Sequence, residues 1–334
     1  MKKWIRDNII YRLLRYLPDK LQTKLKLVGT CILGNGWDYF YLTSLAGNFS
    51  DIQQDDVRKV YADMPEESLN VLLEYLRYCQ LSNYFNAENN NTLIVPQYPL
   101  FKGLKEKLNS EKSFCASVHL PVDMTITSEV FFYHHGLKEL PQQVHEYIAD
   151  SDFLDLGAWV GDSACILSEY RPHKILSFEP SPEACQIYTA NMKKSGIANT
   201  VLIPAGVSDK QGVLYFENNT TVFNLDKNRN GCADIVRIDD YLEQHEHARI
   251  GLIKADLEGE ALKMLQGAVA VIKKDRPVLL LAIYHNADEF LGIYPFLKKE
   301  VPNYCYKVRA LSGLSEVTLI GYPAELTDKT ASEL

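Results

Sequence analysis

Between Asp152 and Tyr322 the apolar residues fall into short, nearly continuous runs separated by amphipathic stretches. Phe153–Leu156, Lys174–Phe178, Val201–Pro204, Ile250–Ala255 and Pro277–Tyr284 read as core strands, and Val213–Glu217 and Asp234–Ile238 as additional short ones. Runs this apolar belong to strands buried on both faces, the habit of a parallel sheet. Helical periodicity fills the gaps: from Gly161, over Pro182–Gly196, over Glu260–Lys273 and over Ala287–Lys299. Ser181, Pro182 and Glu183 give the second of these an N-cap, a first-turn proline and an acid at the positive end of the dipole. Tyr304–Ala310 and Glu316–Tyr322, joined through Ser312-Gly313, read as an antiparallel hairpin. The expected fold is therefore α/β and Rossmann-like: a mostly parallel sheet, seven-stranded, closed by an antiparallel hairpin.

The first third is patterned differently. Trp4, Ile5, Ile9, Ile10, Leu13, Leu14, Leu17 and Leu21 recur at helical spacing with Lys3, Arg6, Arg12 and Arg15 between them, and Pro18 limits or kinks the helix. Such a basic amphipathic helix either lies on an anionic membrane surface or docks on its own domain or a partner protein. Residues 51–91 read as a helical module, with Leu69, Leu72, Leu73 and Leu76 on one face. Gln143–Ala149 reads as a helix feeding the first core strand. The expected organisation is a mainly helical N-terminal extension over 1–127, including the basic helix 1–26, and an α/β domain over 128–334.

Charge sharpens this division. The 334-residue chain carries −8, yet residues 1–26 hold about +6, which leaves −14 on the remainder. An acidic body argues against nucleic acid as the main partner. Cys31, Cys79, Cys115, Cys165, Cys185, Cys232 and Cys305 are single and never in C-x-x-C spacing, the pattern of reduced thiols rather than disulfides or zinc. No run approaches the ~18 apolar residues of a membrane span. Arg12 and Arg15 interrupt the first apolar stretch, so it does not read as a signal peptide. The expectation is a cytoplasmic protein, peripheral at the inner membrane face if residues 1–26 meet lipid.

The candidate chemistry sits at the strand ends. Phe153–Leu156 runs through Asp155 into a Gly157-x-x-x-Gly161 turn that opens a helix, and Lys174–Phe178 ends at Glu179. Strand, glycine turn, helix and strand-terminal acid make the first half of a nucleoside-binding unit, the acid placed to hold both hydroxyls of a ribose. The turn lacks the G-x-G-x-x-G spacing that seats a pyrophosphate against a helix N-terminus, and the hairpin departs from the dinucleotide fold. A ligand with an adenosine and no phosphates fits better, and S-adenosylmethionine is such a ligand.

Four blocks resemble the FkbM-type S-adenosylmethionine-dependent methyltransferases: Asp155-Leu-Gly-Ala-Trp-Val-Gly161-Asp-Ser163; Phe178-Glu-Pro-Ser-Pro182; Lys254-Ala-Asp-Leu-Glu-Gly259 with Leu265-Gln-Gly-Ala268; and Pro277…Tyr284-His285 running into the hairpin. Together they span about residues 128–323. The chain departs from the family pattern at Ala261, where a second glutamate is usual, with Glu260 one place earlier. The resemblance implies a class I methyltransferase fold and methyl transfer from S-adenosylmethionine to a hydroxyl, often one on a sugar of a surface polysaccharide, glycolipid or glycoprotein.

Methyl transfer is an in-line displacement that needs alignment and removal of the hydroxyl proton. Asp155, Gly157, Ala158, Gly161, Asp162 and Ser163 are expected around the methionine part of the cofactor, Glu179 and Pro180 at the ribose, and Ser208 and Asp209 near the adenine. Asp256 and Glu258, ending the fourth strand, face the acceptor. His285, ending the fifth, is the candidate general base, since an unperturbed imidazole titrates near pH ~6.5. Asp256 with His285 and Asn286 offers one carboxylate, a poor set for Mg²⁺, so no metal is expected. His134 and His135, read as lying in a strand, point to opposite faces and are expected to form a pocket wall or plain surface.

Two other readings stay open. An NAD-dependent nucleotide-sugar oxidoreductase would also use Glu179, although the glycine spacing and hairpin oppose it. A non-catalytic scaffold would keep the fold and dock through residues 1–26. A nucleic-acid base methyltransferase is opposed by Asp256-Leu257-Glu258-Gly259, which stands where an N/D-P-P-Y/F block would be.

Overall fold

The fifth strand, β8 (Val278–Ala282), is buried at every position and pairs on one side with β7 (Ile250–Ala255) and on the other with β10 (Ser315–Pro323). It belongs to a seven-stranded sheet of order β3-β2-β1-β7-β8-β10-β9, where β1 is Asp152–Leu156, β2 Lys174–Phe178, β3 Thr200–Ile203 and β9 Tyr304–Ser312. The first five are parallel, and β10 is antiparallel to both β8 and β9. The strand sequence reverses between β1 and β7, so their carboxyl ends open the crevice in which such sheets bind ligands. The structure is a computed structural model and describes residues 48–89, 103–120, 124–216 and 231–327. The basic segment 1–26 lies outside the described residues. Among the described residues no helix is long and apolar enough to cross a membrane.

The chain divides into two compact units, one of Met1–Asp51 with Leu76–Asn109 and the other of Ile52–Tyr75 with Ser110–Leu334. Ile52–Tyr75 belongs to the unit that holds the sheet. Ile52–Tyr75 is tied to the sheet by buried polar contacts: the Tyr61 hydroxyl donates to the Phe290 carbonyl, the Tyr75 hydroxyl to the Tyr284 carbonyl (2.8 Å), and Ser68 Oγ accepts from Val308 N (2.9 Å). Ser68→Ala would leave that edge-strand N–H buried without an acceptor. Denaturant melts are expected to show a loss of about 1–3 kcal/mol.

Helix ends follow their capping chemistry. Pro182–Ser195 starts at Ser181, whose Oγ accepts from Ala184 N, and stops at Gly196 in the left-handed region. Ala287–Glu300 starts at Asn286, whose Oδ1 accepts from Glu289 N (2.8 Å). The single helix expected over 260–273 is instead two, Ala261–Gly267 and Val269–Asp275. A Cβ at Gly267 would lie 2.3 Å from the Ser208 carbonyl oxygen, and the Asp239 carboxylate accepts from Ala270 N and Val271 N, opening a second helix.

Two of the short strands expected outside the core, Gly212–Phe216 (β5) and Gly231–Val236 (β6), join Ala205–Val207 (β4) in a separate three-stranded sheet, order β4-β6-β5. The segment before β1 is not a strand. Ser128–Phe132 is a π-helical turn, and His134–Glu139 follows as a 3₁₀ segment. His134 (φ 50°), His135 (φ 53°) and Gly136 (φ 91°) are all left-handed. For the two histidines that backbone costs on the order of 1–3 kcal/mol each, and such outliers concentrate at functional sites.

Candidate functional site

Three elements meet at the carboxyl end of β1. The glycine turn is held from behind by Gly157 N and Ala158 N, both donating to the Phe178 carbonyl at 3.0 Å. Gly157 (φ +78°) has no room for a side chain: a Cβ would sit 1.9 Å from the Asp256 carbonyl oxygen. Gly161 (φ +88°) is pressed against Tyr188 and Met192. Glu179 closes the other side, Oε2 accepting from Trp159 N (2.9 Å) and Oε1 from Ser181 N (2.8 Å). The acid at the end of β2 thus fastens the glycine turn to the start of the next helix. Asp162, the first residue of the following helix, accepts from Ser163 N (2.8 Å), and burial, partly offset by Lys254, pushes its carboxyl up to about 6.

Asp155 is fully buried, and its carboxylate accepts no hydrogen bond among the described residues. Its charge is met by Lys254, whose Nζ lies 3.2 Å away and donates to the Gly157 carbonyl at 2.7 Å. Burial opposes the charge on Lys254, but Asp155, Asp256, Asp162 and Glu129 around it outweigh that and raise its pKa. A lysine inside the apolar strand Ile250–Ala255 was the sequence signal for this buried pair, since lysine is rarely buried unless paired.

Beyond the turn lie the acceptor-side candidates. His285 is almost fully buried, with Nε2 3.0 Å from Asp256 Oδ1 and Nδ1 3.0 Å from Glu289 Oε2; Glu258 is farther, at 3.9 Å, and mostly exposed. Burial works against the imidazolium, but the Asp256 carboxylate beside Nε2 and the hydrogen-bonded Glu289 carboxylate prevail and carry its pKa up to about 11. The imidazole expected to titrate near neutrality is instead a cation with a carboxylate on each nitrogen. Burial also opposes the charge of Asp256, yet His285 and Lys254 bring its carboxyl down to about 2. Asn286 is occupied in capping and in donating to the Gly259 carbonyl (3.1 Å), so the set Asp256, His285 and Asn286 is not assembled around one point.

Residues the sequence reading had passed over complete this side. Carboxylate oxygens of Glu129, Asp256 and Glu316 all lie within 4.8 Å of one another. Burial, then mutual repulsion, pushes Glu129 and Glu316 each up to about 8, so the crowded group shares protons at neutral pH. His135 donates or accepts at both nitrogens, to Glu129 Oε1 (2.9 Å) and Ser163 Oγ (3.0 Å). It is buried, so it is not plain surface, and it lies in a left-handed turn rather than a strand. His134 turns elsewhere, to the Tyr170 hydroxyl at 2.9 Å. Glu289 is fully buried and also accepts from Ala261 N (2.8 Å). Its sequence signal was the N-x-x-E capping pattern from Asn286. Ser208 and Asp209 bond each other (3.2 Å), and Ser208 Oγ donates to Glu260 (3.3 Å), beside the Gly267 helix. Pro180 follows Glu179 directly and is half-buried.

Over residues 155–308 the chain matches the family model for the methyltransferase FkbM domain. Glu129 and Glu316 lie on either side of that span. A crystal structure of a methyltransferase FkbM from Methylobacillus flagellatus KT superposes with a TM-score of 0.53 at 16% identity, covering 80% of this chain. The chain spans 58% of that protein's length. An O-methyltransferase from Bacillus cereus in complex with SAH (TM-score 0.41, 12% identity, 72% of this chain, 96% of that one) is among the other similar structures. So is an rRNA methylase from Streptococcus thermophilus (0.37, 14%, 60% and 98%). No protein of curated function matches the chain in sequence. The fold is the Rossmann-like class I methyltransferase fold, with its seven-stranded order and closing hairpin.

Proposed function

We propose that this protein is an S-adenosylmethionine-dependent O-methyltransferase. The observation that carries the reading is the crowding of acids in the crevice: Asp155, Asp162, Asp256, Glu129 and Glu316 outnumber Lys254 and the His285 cation, an acidic excess that holds protons on Glu129 and Glu316. A cofactor bearing an ammonium and a sulfonium offsets that excess. The pyrophosphate of a dinucleotide would add to it, and would meet no G-x-G-x-x-G turn.

The residues present fit such a cofactor. Asp155 is a buried carboxylate without a hydrogen-bond donor of its own among the described residues, and Gly157 and Gly161 bring bare backbone to the crevice. When bound, S-adenosylmethionine supplies an electrophilic methyl group. The chain's part is to hold it: Asp155 for the ammonium, Glu179 for the ribose hydroxyls, and Ser208 and Asp209 for the adenine. Asp256, fixed by His285, orients the acceptor hydroxyl through its carboxylate. Clustered carboxylates with the Tyr284 hydroxyl, 3.4 Å from Asp256 Oδ2, suit an acceptor rich in hydroxyls. A sugar on a surface polysaccharide, glycolipid or glycoprotein is the proposed class, with residues 1–26 directing the enzyme to a membrane face or a partner.

Calorimetry tests the cofactor. S-adenosylhomocysteine is expected to bind and NADH to bind more weakly or not at all; the reverse order would sink the proposal. Transfer of radiolabelled methyl to nucleotide sugars and glycans then tests the acceptor class.

A further inference from the structure

A hydrogen-bonded chain of buried side chains joins the acceptor side to the cofactor turn: Glu129 to His135 at 2.9 Å and His135 to Ser163 at 3.0 Å. Its members come from the π-helical turn, the left-handed corner after it, and the first turn of the helix after Gly161. The chain can run in two directions. With Glu129 ionised, His135 Nδ1–H donates to it and Nε2 accepts from the Ser163 hydroxyl. With Glu129 protonated on Oε1, both bonds reverse. Burial, then Lys254, lowers the His135 pKa to about 4, so the ring is neutral and one tautomer gives way to the other.

Of the three residues expected on the acceptor side, Glu258 is mostly exposed, and His285 and Asp256 are not suited to take the proton. His285 already carries a proton on each nitrogen, directed at Asp256 and Glu289. Asp256, held near 2, is a weak base. Glu129 is different. It is nine-tenths buried, stands within 4.8 Å of Asp256, and keeps Oε2 clear of the bond to His135. We propose that Glu129 takes the proton of the acceptor hydroxyl during methyl transfer, and that the positive charge of the bound cofactor frees it for that role. The proposal rests on the methyltransferase reading above.

The step balances. The acceptor oxygen gains the methyl group, its hydrogen passes as a proton to Glu129, and the electron pair of the sulfur–methyl bond stays on sulfur. A cation and a carboxylate become a neutral thioether and a neutral acid. Glu129 faces Asp256, whose charge keeps its proton on, Lys254 and His285, whose charges draw it off, the Glu316 carboxyl, itself raised by burial and by Glu129, and the neutral His135 and Tyr284. With its own carboxyl near 8, it is mostly protonated in the free protein at pH 7. A further cation beside the group shifts that balance toward the ionised form.

S-adenosylmethionine carries the sulfonium charge and S-adenosylhomocysteine does not, so the two ligands separate the effect without an acceptor. Each is titrated calorimetrically into the full-length protein at pH 7 in two buffers of different ionisation enthalpy. S-adenosylmethionine is expected to release approaching one proton more than S-adenosylhomocysteine. In Glu129→Gln the difference should vanish while S-adenosylhomocysteine still binds. Equal release by the two ligands in the wild type overturns the proposal. So does a difference that survives in Glu129→Gln and disappears in Glu316→Gln. If neither ligand binds the wild type, it is the methyltransferase reading that fails. Infrared difference spectra of wild-type protein labelled with ¹³C-glutamate read the same event without a substitution. The glutamic acid carbonyl band should be lost on adding S-adenosylmethionine and retained with S-adenosylhomocysteine, and a band unchanged by both overturns the proposal.

Discussion

Gly157→Ala is expected to abolish measurable S-adenosylhomocysteine binding, weakening it at least ~100-fold, about 2.7 kcal/mol or more. Two independent causes act at this position. The backbone is left-handed (φ +78°), which a side chain resists by about 1–2 kcal/mol. The new Cβ would also fall 1.9 Å from the Asp256 carbonyl oxygen, so backbone and not a pliable side chain must move. Moving Asp256 away displaces its carboxylate from His285 as well, so the substitution strikes both halves of the crevice. Calorimetry with thermal melts checks it: unchanged affinity would mean that the ligand does not use this turn. Gly196→Ala is the matched control, since that glycine is also left-handed (φ +73°) but has open space around it and should affect stability alone.

Glu289→Gln is expected to cost about 3–5 kcal/mol of unfolding free energy. The carboxylate is fully buried and serves two donors, His285 Nδ1–H and Ala261 N–H, where an amide can accept through only one of its ends. The deficit should depend on pH. A histidine whose folded pKa is raised lends stability that is complete below its unfolded value near ~6.5 and is lost as pH rises through the folded value of about 11. The gap between wild type and variant is therefore expected to be widest near pH 6 and to narrow toward pH 10. Urea unfolding at the two pH values decides: an equal gap would mean that His285 is not a cation.

The glycine turn and the acid that fastens it were legible in the sequence because their residues are local. Asp155, Gly157, Gly161 and Glu179 sit within one strand–turn–helix–strand unit, where spacing determines placement, and the mostly parallel seven-stranded sheet with its closing hairpin followed from the apolar runs. The acceptor side was not legible because it is assembled by long-range pairing. Glu129 was hidden in an apolar stretch whose alternation imitates a strand, and the left-handed turn at His134 and His135 has no glycine to announce it until Gly136. Glu316 stood in the expected hairpin without any sign of what it would face. His285 was correctly singled out as sitting at the end of its strand. Its state could not be read there, because that depends on Glu289 one helical turn later and on Asp256 from another strand. The break at Ala268 belongs to the same class, since it answers to Asp239 and to the Ser208 backbone.

The register of the central strands carries a kinetic consequence. β1 lies in parallel register with β7, Asp152 opposite Ile250 and Leu156 opposite Ala255, across nearly a hundred intervening residues. Closing a loop of that length is slow, and chains dominated by such distant pairings fold slowly. Until the two strands meet, Asp155 has no Lys254 beside it and the glycine turn has no Asp256 carbonyl to press against. The glycine turn in its final packing and the Asp256–His285 pair are then expected to appear in a single late event. A ligand added during refolding should leave the early phases untouched and act only after that rate-limiting pairing.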